Sequence, residues 1–204
     1  MDRWLDSHFV GNHPALDFVN TLSHRVDPSL CEDRMVTVED LRSWAERAGL
    51  RPATKVVQIE GQDHGARLVL DARVLREAAH EALLARVRKQ DPSVSAIIAI
   101  VEQVKSIRKG ISFASPSDIA SCSATIESDE SLLGVIALQI LDALFRLPVE
   151  RLGACPACGW MFLDVTRGGR RRWCSMATCG NRAKVRRHQG QSDNPSSARS
   201  DDHG

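Results

Sequence analysis

Cys155-Pro156-Ala157-Cys158-Gly159-Trp160-Met161-Phe162-Leu163-Asp164, and after it Arg170-Arg171-Arg172-Trp173-Cys174-Ser175-Met176-Ala177-Thr178-Cys179-Gly180-Asn181-Arg182-Ala183-Lys184-Val185-Arg186-Arg187-His188, is the stretch on which the reading of this chain turns. Its cysteines fall as C-x2-C, fifteen residues, then C-x4-C. Each close pair can chelate from one turn, and the residues between are enough to fold back and bring the pairs together, as a tetrahedral thiolate zinc site requires. Pro156 and Gly159 suit a tight knuckle at the first pair. The pattern predicts short paired strands over Trp160 to Val165 and Arg170 to Trp173, about Thr166-Arg167-Gly168-Gly169, and a helix from the second pair through Arg187. Knuckle, hairpin and ligand-bearing helix together describe a treble-clef finger. Four thiolates leave no open position for a catalytic water, so one Zn2+ on Cys155, Cys158, Cys174 and Cys179 is expected to be structural. A module of about forty residues cannot bury an adequate core, and the metal is what would hold it folded. Cys31 and Cys122 lie near no second ligand pattern and are expected to be buried core thiols.

Charge singles out the same segment. The 204 residues carry a net charge of only +1. Residues 1–150 hold 17 basic against 22 acidic side chains, residues 151–190 hold 9 against 1, and the last fourteen hold 1 against 3. A basic module attached to an acidic chain points to a polyanion partner for that module. Hydrophobic residues at 43% and charged residues at 26% are ordinary for a globular protein and argue against disordered, fibrous and membrane classes. The most apolar run, Leu132 to Phe145, is broken by Gln139 and Asp142 and is too short to span a bilayer. Met1 to Val10 does not read as a secretory signal, so a cytoplasmic location is expected, with no membrane partner.

Upstream, helices dominate. Thr37 and Asp40 make a capping box before Leu41, Trp44, Ala45 and Ala48, and Gly49 supplies the stop. From about Asp71 to Arg88, Leu75, Ala79, Ala82, Leu83 and Arg86 trace a stripe, with Arg73, Arg76, Glu77 and Glu81 expected mostly in water. Asp91 as N-cap and Pro92 at the first position frame a third helix, with Val94, Ile97, Ile98, Val101 and Val104 on its buried face. Ser128 opens a fourth through about Arg146, apolar nearly all round and therefore central, stopped by Pro148. Ile111 to Ser115 and Ile119 to Glu127 alternate as a hairpin about Ser115-Pro116-Ser117-Asp118, and Lys55 to Glu60 reads as a further strand. The fold class is thus α+β: a mainly helical N-terminal domain with a small antiparallel hairpin or sheet, then the finger. Gly190 to Gly204 has almost no apolar residues and is expected to be disordered.

The finger sequence closely resembles the CGNR zinc-finger family of bacterial transcription regulators. In that family the finger follows an N-terminal domain called ABATE. Gly11-Asn12-His13-Pro14-Ala15-Leu16-Asp17-Phe18-Val19-Asn20-Thr21 resembles its opening motif, and Leu41 to Leu50, with Trp44 and Gly49, resembles the helix that follows. The resemblance implies an ABATE-like sensor domain over 1–148, the finger over 149–189 and a tail over 190–204. It also implies a stress-induced regulator whose sensor takes up a signal, such as a small molecule.

Two sets of residues are singled out as sites. Arg170, Arg171, Arg172, Arg182, Lys184, Arg186 and Arg187 are the candidate nucleic-acid contacts, with Arg167 beside them. Arg182 and Arg186 lie four apart on one helix face, where guanidinium forks can meet phosphates or guanine edges. Asp164 is expected to pair with Arg171 or Arg172 and pin the hairpin. Trp160, Phe162 and Trp173 are expected to be core around the metal. If Pro14 opens a helix, Asp17, Asn20 and Thr21 share one face, and with His13 they are the candidate pocket for a small-molecule signal. A hydrogen-bonded structural cluster is the alternative for these four. The leading reading is a DNA-binding transcription regulator, favoured as a homodimer because one finger rarely binds tightly enough alone. The other is an RNA- or protein-binding module with a purely structural zinc. With no nucleophile–base pair, no glycine-rich phosphate loop and no second metal site in the sequence, an enzyme is not expected.

Overall fold

The computed structural model describes residues 3–52, 62–108, 111–112, 125–126 and 128–192. Pro14, with φ preset for a first helical turn, opens α1 (Pro14–Val19) behind His13, whose Nδ1 accepts the Ala15 N–H at 3.2 Å. Asn20 caps the far end, and the chain continues into β1 (Leu22–Ser23), antiparallel to β2 (Glu32–Asp33). The Thr37–Asp40 capping box starts α2 (Val38–Arg47) as its residues require, and Gly49 ends the turn after it.

Three long helices follow. α3 (Gln62–Val87) begins nine residues before the amphipathic stripe that announces it. Leu75, Ala79, Ala82 and Leu83 are buried as the stripe demands, but so is Arg76 at 3% exposure. Arg76 bonds both Asp33 carboxylate oxygens, at 2.7 and 2.9 Å, and a Glu77 oxygen at 2.9 Å, which is how a guanidinium survives burial. α4 (Val94–Val104) is capped by Ser93 rather than Asp91, shifting its start by two residues. Its buried side chains are Ala96 and Ile100, with Ile97 and Val104 partly covered, whereas Val94, Ile98 and Val101 are exposed. α5 (Asp129–Arg146), capped by Ser128, is the central helix its all-round apolar pattern predicts. It packs against α1, α3 and α4. Arg86 crosses from α3 to bond the Ala143 carbonyl, which also accepts the Leu147 N–H, and the Leu147 carbonyl at the C-terminal end of α5.

A small mixed sheet takes the order β3-β5-β4, with β3 (Arg51–Pro52) parallel to β5 (Thr125–Ile126) and β4 (Ile111–Ser112) antiparallel to it. The predicted hairpin is therefore present at its base. Its turn at 115–118, the strand expected over 55–60 and Cys122 lie outside the described residues. Cys31 is exposed, correcting the expectation of a buried thiol. No helix among the described residues is long and apolar enough to cross a membrane.

The C-terminal part is built from β6 (Leu152–Ala154) antiparallel to β7 (Met161–Leu163), a π-helical turn at Met176–Gly180 and α6 (Asn181–Ser192). β7 thus pairs backwards with β6 rather than forwards with residues 170–173, which form no strand. α6 extends five residues past the predicted end at Arg187 and takes in residues 190–192 of the predicted tail; the rest of that tail lies outside the described residues. Side chains alternate across β7, and this has a structural consequence. Met161 enters the same buried cluster as Leu16, Phe18, Leu83 and Ile136, whereas Phe162 enters a second, smaller cluster with the four cysteines. One three-residue strand therefore belongs to both cores.

Candidate metal centre and nucleic-acid interface

The knuckle is set by short-range bonding. Gly159 N–H donates to the Cys155 carbonyl and Cys155 N–H to the Trp160 carbonyl, both at 2.8 Å, and Gly159 sits at φ +80°, where a side chain would be strained. This turns Cys155 and Cys158 toward one point. The π-helical turn carries Cys179 to the same point, with Gly180 N–H bonded back to the Ser175 carbonyl at 3.0 Å. All four Sγ atoms lie within 4.8 Å of one another and all four residues are buried. Cys158 and Cys174 Sγ are 3.5 Å apart. The edge of a tetrahedron with bonds of about 2.3 Å is about 3.8 Å, so the cluster has the size a zinc ion needs.

Hydrogen bonds from Cys158 and Cys174 hold the Cys155 thiol far below its ordinary value. The bond to Cys155 pushes Cys158 up to about 12, and Cys174 is raised further by its bonds to Cys155 and Cys158. With only protons to share, one thiolate ionises at the expense of its neighbours; a divalent cation removes that competition. The four cysteines can hold one zinc ion, with Trp160 and Trp173 packed around them and Phe162 within the cluster, as expected.

Arg171 does not belong to a solvent-facing surface. Its Nε donates to the Trp173 carbonyl, its terminal nitrogens to the Leu163, Val10 and Cys174 carbonyls, and its guanidinium lies 4.4 Å over the Phe162 ring. It clamps the loop between the cysteine pairs, and of the seven candidate nucleic-acid contacts it is the one bonded to several backbone carbonyls. Asp164 pins the same loop, through backbone rather than through a cation's charge. Its carboxylate accepts the Thr166 hydroxyl and N–H and the Arg171 N–H at 2.6 to 2.8 Å, which holds it below its ordinary value. With the single carboxylate of the segment so engaged, Arg167, Arg170, Arg172, Arg182, Lys184, Arg186 and Arg187 are all exposed. None of them lies within ion-pair distance of a carboxylate among the described residues. Arg172 rests over Trp173 at 5.2 Å, and Arg182 donates to Cys179 Sγ at 3.5 Å.

The other candidate set is turned inward. Asn20 makes a paired contact with the finger: its amide donates to the Met161 carbonyl at 2.9 Å and its oxygen accepts the Met161 N–H at 2.8 Å. Asp17 accepts the Gly11 N–H at 2.7 Å, and a Cβ on Gly11 would lie 2.8 Å from that same carboxylate oxygen, so glycine is needed there. Burial pushes the Asp17 carboxyl up to about 7 against the opposing pulls of Gly11 N–H and the Arg171 guanidinium. Thr21 donates to the Phe18 carbonyl and accepts from Arg76, and His13, lowered by burial, caps α1 while its Nε2 faces Asp142 at 3.5 Å. The hydrogen-bond partners of all four are the chain's own groups. Around them Leu163 N–H donates to the Gly11 carbonyl, the Asn12 amide to the Leu163 carbonyl, Trp160 to the Leu22 carbonyl and Arg25 N–H to the Cys158 carbonyl. The opening motif is therefore the seat of the cysteine hairpin. Sequence reasoning missed this role; the only signal was the density of Asn, Asp and Thr within eleven residues.

A cavity of about 170 Å³ opens onto the metal site itself, since Cys158, Cys174 and Cys179 line it together with His8, His24, Arg34, Trp160 and Arg182. Two buried nitrogens of these residues, His24 Nε2 and Arg34 Nη1, have no hydrogen-bond partner among the described residues.

Comparison with known families agrees with this division. A model described as ABATE, "Putative stress-induced transcription regulator", matches residues 12–144, and the CGNR zinc finger matches residues 151–191. No curated protein matches the chain.

Proposed function

The chain belongs to the ABATE family and carries a CGNR zinc finger, and on that premise we propose that it is a non-catalytic, DNA-binding transcription regulator of the cytoplasm. The observation that carries the proposal is the electrostatic asymmetry of the finger: seven exposed cations with no carboxylate at ion-pair distance among the described residues. Unneutralised positive charge of this density gains most from a polyanion, because each phosphate contact releases condensed counterions. The aromatic side chains of the finger are packed around the cysteines rather than presented as a stacking platform, which favours duplex over single-stranded nucleic acid. The zinc, closed off by four thiolates, supplies folding energy to the module and no chemistry to a substrate.

In this proposal the N-terminal region is the signal-responsive half, and the junction through Asn20, Gly11 and Trp160 carries its state to the finger. The pocket for the signal is proposed at His13, Asp17, Asn20 and Thr21, which lie on that junction. The test is a salt titration of the zinc-loaded chain on duplex DNA. Log affinity is expected to fall linearly with log salt, by about 0.9 per phosphate contact. Binding that is absent, or indifferent to salt, overturns the proposal.

A further inference from the structure

Charge is not evenly spread around α6. A shallow groove of about 700 Å³ runs between it and Ala177 and Thr178 of the π-helical turn, its α6 side formed by Asn181, Arg182, Val185, Arg186 and Gln189. Lys184 and Arg187, also exposed, are absent from that lining. Asn181, Val185 and Gln189 are spaced by four residues, as are Arg182 and Arg186, the spacing of one helical face. The groove side therefore carries two carboxamides, a methyl-bearing side chain and guanidinium groups, while the flank carries cations alone.

A face built only to hold phosphates has no use for Val185, which is 52% exposed on an otherwise polar helix. Nor does it need carboxamides at both ends. These are the groups that match base edges in a major groove: Asn and Gln pair bidentately with adenine, Arg with guanine, and an aliphatic side chain meets the thymine methyl. Arg182 differs from Arg186 because it donates to Cys179 Sγ, which holds its head near the metal centre. α6 meets the rest of the chain chiefly through the π-helical turn that bears Cys179, so its outer face is free to enter a groove. From Asn181 to Gln189 the helix advances about 12 Å, or three to four base-pair steps.

Resting on the DNA-binding reading above, we propose that α6 is a base-reading helix. Asn181, Val185, Arg186 and Gln189 contact base edges in the major groove of B-form DNA, and Lys184 and Arg187 hold the flanking phosphates. The recognised element is a run of three to four base pairs that combines a guanine with A·T pairs. Duplex RNA does not fit, because its deep, narrow major groove does not admit side chains.

The experiment uses the full zinc-loaded chain. Duplexes with a randomised centre are selected on it, and the selected duplex is compared with a scrambled one for wild type, Arg186→Lys, Gln189→Ala, Val185→Ser and Lys184→Gln. Wild type is expected to prefer the selected duplex, and Arg186→Lys to lose about 10- to 100-fold on it while binding the scrambled duplex as before, since the charge stays and the fork goes. Gln189→Ala and Val185→Ser should lower the same preference. Lys184→Gln should weaken both duplexes equally and reduce the salt slope by about one. If the wild type binds duplex DNA with a salt slope but selection enriches nothing, or if Arg186→Lys leaves the preference intact, the base-reading role is overturned and DNA binding stands. Tighter binding to duplex RNA of the same sequence also overturns it. A chain that binds no nucleic acid overturns both proposals at once.

Discussion

Residues 11–21 and residues 167–187 are both rich in polar side chains, and the two stretches use them in opposite directions. In the first, Asp17, Asn20 and Thr21 are buried and bonded to Gly11, Met161 and Phe18. In the second, apart from Arg171, the cations are exposed and none lies within ion-pair distance of a carboxylate among the described residues, Arg186 sitting only in the longer-range field of Asp27. A polar group bonded to its own backbone serves the fold, and one left unneutralised at the surface is available to a partner. The comparison teaches that the motif nearest the N-terminus and the finger near the C-terminus are two sides of one joint, and only the outer side is free for recognition.

The largest test of that division is removal of the metal. Structural zinc sites of this kind contribute on the order of 10 kcal/mol to folding. Cys174→Ser, or a strong chelator, is expected to unfold β6, β7 and α6, read by circular dichroism. Because Leu152 and Met161 belong to the main core, the N-terminal helices should also melt at a lower temperature. An unchanged N-terminal transition would break the idea of a shared joint.

Asn20→Ala comes next. It strands the buried N–H and carbonyl of Met161, each worth about 1–3 kcal/mol when left unsatisfied, and should lower stability by roughly 2–4 kcal/mol in urea unfolding. The same change at Asn12, whose bond to Leu163 is exposed, should cost well under half of that. Equal effects would mean that burial is not what makes the joint strong.

Asp17→Asn sharpens the comparison through pH. The Asp17 carboxyl titrates near 7 in the folded chain and near its ordinary value of 3.8 in the unfolded one. Between those values the folded state holds a proton that the unfolded state has released, so Asp17 lowers stability progressively as pH rises from about 4 to about 7. Asparagine keeps the acceptor for Gly11 and removes the proton. The variant should therefore gain on the order of 2 kcal/mol over wild type at pH 8 and nothing near pH 4. A stability difference that is flat with pH would show that Asp17 is not held protonated by burial.

The smallest stability effect belongs to the outer side. Lys184→Ala and Arg187→Ala should change the melting free energy by no more than about 0.5 kcal/mol, while each lowers the salt slope of duplex binding by about 0.9. A large loss of stability in either variant would place these side chains in the fold rather than at the interface.

Local rules carried the reading wherever a residue answers to its own neighbours in the chain. The Thr37–Asp40 box, Ser128 as cap, Pro14 at a first helical position and the C-x2-C and C-x4-C pairs all act within one or two turns, and each stands where its spacing places it. Expectations failed where a distant partner intervened. Val94, Ile98 and Val101 follow helical periodicity yet remain exposed, because packing against α3 and α5 covers only the Ala96–Ile100 side of α4. Arg76 reads as a surface cation and is buried, since Asp33 satisfies it from far along the chain, and Arg171 is drawn partly inward by the Val10 carbonyl.

The sequence by itself determined that this chain has a helical N-terminal region, a four-cysteine centre and a basic C-terminal helix, because capping, amphipathic periodicity, thiolate spacing and net charge are properties of short segments. Only the tertiary structure decided which strand β7 pairs with, that the opening motif grips the cysteine hairpin, and which arginines have no carboxylate at ion-pair distance among the described residues. Those outcomes depend on hydrogen-bond partners as much as 161 residues apart, as in Val10 and Arg171. No local pattern encodes them, because burial and pairing are settled only when the two cores close on the same strand.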